Sequence, residues 1–205
     1  MGVVRRKSPP SSPCNRSDYQ KSFTTRVHQV LSMGYARLNV GSLAASKEED
    51  ITGELTCAMQ TALQEPGAPR WAKYFWVQEE IPVHGQGREG KRRSRVDIQV
   101  MQHGRTKRPR FRFEAKRLHD TRSRREYLGR DGLGCYLTGR YASDDTMAGM
   151  LGYVQKGTVE HQATSFAEAF GSDPKRYGIT EEGHWTHVQV VATLTTYRSV
   201  HDRVE

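Results

Sequence analysis

The chain predicts an α/β domain, a central mixed sheet flanked by helices, and two observations carry that expectation. Arg95-Val96-Asp97-Ile98-Gln99-Val100 and Phe111-Arg112-Phe113-Glu114-Ala115-Lys116 alternate apolar and polar residues with period two, the pattern of half-buried strands. Elsewhere apolar residues recur at helical spacing, so helices and strands follow one another along the chain rather than segregating.

Taken in order, residues 1–17 form a basic, Pro- and Ser-rich tail expected to be disordered, and residues 18–205 a single domain. Tyr19, Phe23, Val27, Val30 and Leu31 mark a first amphipathic helix, with Gly34 as its stop. Ser46 and Glu49 make a capping box for a second helix, whose stripe is Ile51, Leu55, Ala58, Met59 and Ala62 and which ends before Pro66. Phe75 to Val83 reads as a strand, and Gly85, Gly87 and Gly90 as a flexible loop ahead of the two alternating strands. The charged segment Gln102 to Pro109 is the expected hairpin loop between them. Beyond them, Gly129 to Ala142 carries Leu133, Tyr136, Leu137 and Tyr141 at helical intervals, Met147 to Gln155 reads as strand and Thr158 to Phe170 as helix. Asp173-Pro174 marks a turn, and the β-branched run Thr186 to Tyr197 reads as one long strand.

Antiparallel pairing of the alternating strands puts Val96, Ile98 and Val100 together with Phe111, Phe113 and Ala115. The opposite faces then carry Asp97, opposite or diagonal to Glu114, and Lys116, two residues and about 6 to 7 Å of rise beyond Glu114. Two carboxylates and one ammonium converge.

Charge is concentrated around that convergence. The chain carries +9, and Arg88 to Arg125 holds fifteen Lys or Arg against four acids, which leaves the remainder slightly acidic. A block of this sign and density suits a polyanion, and nucleic acid is the expected partner, with Arg92, Arg93, Arg95, Arg108, Arg110 and Arg112 as candidate phosphate contacts. Cys14, Cys57 and Cys135 are odd in number and widely spaced, so free thiols and a reducing, cytoplasmic setting are expected. With no apolar signal core and no run of membrane-spanning length, no membrane partner is expected, and Arg6 breaks the acylation pattern that Met1-Gly2 would begin. His184, His187 and Cys135 lack the paired spacing of a zinc site, and Tyr136, Tyr141 and Tyr153 read as core.

Asp97, followed seventeen positions later by Glu114-Ala115-Lys116, after an acidic helix and before another helix, resembles the PD-(D/E)xK, or restriction-endonuclease-like, nuclease superfamily over roughly Lys47 to Gln155. Val96 stands where a proline often precedes the first acid. The segments Gly139-Arg140-Tyr141-Ala142 and Gly149-Met150-Leu151-Gly152-Tyr153-Val154 are similar to small proteins of bacterial defence and restriction systems. The superfamily resemblance implies a restriction-endonuclease-like core in which Asp97, Glu114 and the carbonyl of Ala115 bind Mg²⁺ or Mn²⁺ and Lys116 orients or deprotonates the attacking water. Carboxylates and a carbonyl are the hard donors such ions prefer, and a bound cation both acidifies water and neutralises developing phosphate charge. It further implies a glutamate from the preceding helix, for which Glu54, at the edge of the Ile51, Leu55, Ala58 stripe, is the candidate. The expected activity is metal-dependent hydrolysis of DNA, endonucleolytic, in a defence or restriction effector that needs a second copy or a partner protein to cut both strands. The alternatives are a catalytically silent nucleic-acid-binding subunit of the same fold, and an RNA-binding basic protein in which the triad is accidental.

Overall fold

A computed structural model describes residues 16–83, 94–103, 109–141, 144–180 and 185–203. The tail, the glycine loop with Arg92 and Arg93, the hairpin tip with Arg108, and His184 lie outside the described residues.

Two helices open the described chain, α1 (Arg16–Tyr35) and the single turn α2 (Val40–Leu43), and α3 (Glu48–Gln64) follows. Phe23, Val27, Val30 and Leu31 of α1 bury against Leu55 and Met59 of α3, as the stripes require. α1 ends at Tyr35, one residue past Gly34, and Gly34 is also where α1 crosses α3, since a Cβ there would fall on the Met59 side chain and stand 3.1 Å from the Met59 backbone nitrogen. The capping box expected at Ser46 is also absent: α3 is capped from Lys47 without a side-chain bond, and the Ser46 hydroxyl turns back to the Ser42 carbonyl instead.

The sheet is β1 (Phe75–Pro82), β2 (Arg95–Gln102), β3 (Arg110–Leu118) and β4 (Gly149–Val154), in that spatial order. The first three form an antiparallel meander and β4 runs parallel to β3, so the sheet is mixed. Phe75, Val77, Ile98, Val100, Phe111 and Phe113 face α1 and α3. The far face is covered by α4 (Thr121–Leu128), the single turn α5 (Gly134–Leu137) and α6 (Val159–Ser172), through Leu118, Tyr127, Leu133, Leu137, Phe166 and Phe170.

Two segments depart from the sequence expectation. Gly129 to Ala142 is not one helix: α4 ends before it and α5 occupies only its middle, because Gly132 packs so tightly under the Tyr127 carbonyl that a side chain has no room. The run Thr186 to Tyr197 is not one strand either. It folds back as β5 (Thr186–Val188) and β6 (Thr196–Arg198), an antiparallel pair in which Trp185 stacks on Tyr197 and packs beside Phe170. β-Branched content alone cannot distinguish one long strand from a hairpin. Among the described residues no helix is long and apolar enough to cross a membrane.

Candidate active site

The site is a notch where β2 and β3 part company. Their ladder runs from Met101↔Arg110 to Ile98↔Phe113, and beyond Ile98 strand β2 stays with β1 while β3 continues beside β4. Continuing the register by one residue sets Asp97 level with Glu114, so the two are opposite rather than diagonal. The separation strips two backbone N–H groups of β3 of their ladder partners, and carboxylates replace them. Asp97 Oδ2 accepts from the Ala115 N–H at 2.6 Å, and Glu48 Oε2 from the Arg117 N–H at 3.1 Å.

Lys116 fills the notch. Its ammonium donates to Glu114 Oε1 at 2.9 Å, Glu48 Oε1 at 2.9 Å and the Ala115 carbonyl at 2.7 Å, three oxygens converging on one cation. Burial pushes the Lys116 ammonium down, but Glu114 and Glu48 outweigh it and hold its pKa above the usual lysine value. Glu114 is 4% exposed; burial, with the charge of Asp97 added, raises its carboxyl from the usual range to about 7, and Oε2 is left buried with no hydrogen-bond partner. Asp97 is raised as well, first by burial, with the Ala115 N–H and Lys116 opposing. Burial and then the nearby Glu114 and Asp97 charges raise the Tyr136 phenol, whose hydroxyl donates to the Arg112 carbonyl at 3.4 Å.

Glu54 does not reach the notch. It stands exposed on α3, and Glu48 is the residue that reaches the notch. Six residues at 3.6 per turn place the two about 120° apart around the helix. Glu48 is three, four and seven residues before the buried Ile51, Thr52 and Leu55, so extending that stripe one turn towards the N-terminus lands on it. Glu80 was unmarked by any sequence pattern. It lies level with Asp97 across β1, holds a left-handed backbone (φ 49°) that few non-glycine residues adopt, and its carboxylate meets Arg95 at 2.5 Å.

Among the described residues, the candidate phosphate contacts Arg95, Arg110 and Arg112 are each engaged within the protein. Arg110 and Arg112 both bind Asp145, at 3.0 and 3.1 Å, and Arg112 is buried with its Nε donating to Gln99, so it is a structural cation. Arg95 is paired with Glu80. Asp145 lies in a loop with no motif, and no signal in the sequence links it to β3. Tyr141 is buried and the Tyr153 hydroxyl bonds the Thr52 hydroxyl at 3.0 Å, both packing roles.

Among the described residues no three His, Cys, Asp or Glu side chains already stand close enough together to hold a metal ion. The donor set is nonetheless oxygen-only, and the orphaned Glu114 Oε2 is the kind of group a hard cation satisfies. No family model, curated protein or solved structure matches the chain.

Proposed function

We propose that the protein is a metal-dependent nuclease that hydrolyses phosphodiester bonds of DNA from the notch between β2 and β3, on a restriction-endonuclease-like core. One observation carries the reading: Glu114, a buried carboxylate with an unsatisfied oxygen, lies beside Asp97, a backbone carbonyl and a half-buried lysine in a chain of net charge +9. A structural ion pair needs no second, half-buried acid and no orphan oxygen, and each costs stability unless it serves something else.

Asp97, Glu114, the Ala115 carbonyl and Glu48 would hold the ion, Mg²⁺ or Mn²⁺, with the Lys116 ammonium displaced from between the acids. The ion supplies Lewis acidity towards the phosphate and acidifies water. Lys116, which Glu114 and Glu48 hold protonated in the metal-free site, would then orient or deprotonate the attacking water.

The second reading, a nucleic-acid-binding subunit without turnover, is favoured by the Lys116 ammonium already occupying the point where the oxygens converge. Incubation of plasmid, linear duplex, single-stranded DNA and RNA with Mg²⁺, Mn²⁺ or EDTA separates the two. Cleavage of DNA that EDTA stops, and that Asp97→Asn and Glu114→Gln abolish while binding persists, is the expected result. Binding without metal-dependent cleavage of any substrate selects the silent subunit.

A further inference from the structure

The face of the sheet that carries the acids continues away from them in level rows. Glu80, Asp97 and Glu114 make the first; Gln78, Gln99 and Arg112 the second; Trp76, Met101 and Arg110 the third. His103, two residues beyond Met101 on the same side, closes the series. Arg112 and Gln99 are buried beneath Asp145 and Tyr136, but the outer half of the face is open: Trp76 is 39% exposed, His103 is exposed and Gln78 and Met101 are half-buried. The character of the rows changes along this path from acidic to amide to aromatic.

We propose that this open half of β1 and β2 is a track for single-stranded nucleic acid, with the indole of Trp76 and its neighbour His103 as a platform on which an unpaired base stacks. The Trp76 and His103 rings lie 5.1 Å apart and tilted, so they brace one another while part of Trp76 stays exposed. A large apolar ring on an edge strand is a liability unless a partner covers it, and a flat base covers it without demanding sequence. The flanking charge suits a phosphodiester chain. Lys73 sits over the exposed Tyr74 ring at 5.1 Å immediately before β1. Four residues of strand separate Met101 from Asp97, so the platform lies about 13 Å from the acids, far enough to hold a strand at one point while it enters the notch at another. Stacking between successive pairs in a duplex hides the flat faces of the bases, which is why the platform selects unpaired strands.

The direction of the track rests on the nuclease reading of Asp97 and Glu114, but its occupancy does not, and the test is made without turnover. Fluorescence anisotropy in EDTA is measured on the full chain with labelled single-stranded DNA, single-stranded RNA and duplex DNA of matched length. Trp76→Ala is expected to weaken single-strand binding by roughly 5- to 150-fold, the range for one lost base stack, and to leave duplex binding unchanged, while Trp76→Phe retains most of the affinity. The DNA and RNA arms show which strand the platform takes. Unchanged single-strand affinity in Trp76→Ala, or an equal loss for duplex, overturns the proposal. So does a fall in oligomeric state on sedimentation with affinity intact, which makes the ring a contact between copies of the chain. An unchanged thermal midpoint in Trp76→Ala excludes misfolding as the cause of any loss. Failure of metal-dependent cleavage with the Trp76 effect present sinks the nuclease reading and leaves the track standing.

Discussion

At the scale of single residues, the chemistry of the notch is a competition for Glu114. Its carboxyl is raised to about 7, so between the ordinary carboxylate range and that value the folded protein holds a proton that the unfolded chain has lost. That contribution to stability is complete below the unfolded pKa and disappears as pH rises through 7. Glu114→Gln removes the titration. Its stability relative to the wild type is therefore expected to rise between pH 5 and 8, by at most about 3 kcal/mol, and thermal melts of both proteins at a series of pH values measure it. Parallel profiles would mean that the carboxyl is ionised throughout. Glu48 and Glu54 divide just as sharply. Glu48→Gln is expected to raise the Mg²⁺ concentration for half-maximal cleavage, and Glu54→Gln to leave it alone, because only Glu48 reaches Lys116 and the β3 backbone. The stripe Ile51, Leu55, Met59 was legible in the sequence, but the polar residue in line with it was not singled out, since first-turn acids already have a reason to exist in the helix dipole.

Among the elements, the closest tolerance is where α1 crosses α3. Gly34→Ala puts a methyl group against both the side chain and the backbone of Met59, so trimming Met59 alone cannot relieve it. A loss of about 1 to 3 kcal/mol in denaturant unfolding is expected, with little recovery in the double variant Gly34→Ala, Met59→Ala. A full rescue would show that only the side chain clashes. Helix α4 was missed in the sequence for an instructive reason. Its buried residues are Ser123 and Tyr127, and Arg122, Arg124 and Arg125 dilute any apolar period, but Asp120 and Ser123 form a reciprocal capping box that announces its start. The β2–β3 hairpin was legible because alternation there is complete, but alternation alone left Asp97 opposite or diagonal to Glu114, and the ladder decided the register.

For the molecule as a whole, the basic block divides into cations that hold the structure and cations that face solvent. Arg110 and Arg112 belong to the first group through Asp145, whereas Arg95, paired with Glu80, stays exposed. Arg122 and Arg125 stand exposed on α4, which follows directly from the strand that carries Lys116. Replacing Arg122 and Arg125 by Gln is expected to flatten the salt dependence of DNA affinity by up to about two, roughly 0.9 per phosphate contact, while Arg110→Gln leaves the slope unchanged. Equal effects from both would mean that the Asp145 pairs open on binding.

The amino-acid sequence by itself determined the alternating strands, the helical stripes, the placing of Asp97, Glu114 and Lys116 on one face, and the excess of positive charge around them. These are local properties, set by side-chain periods of 2 and 3.6 and by composition. Only the tertiary structure decided that β2 leaves β3 at Ile98, that Glu48 and not Glu54 fills the gap, that Asp145 neutralises two of the arginines, and that Thr186 to Tyr197 folds back on itself. Each of these joins residues far apart in the chain through backbone groups or charges that must be satisfied once buried, and no period in the sequence records which distant partner satisfies them.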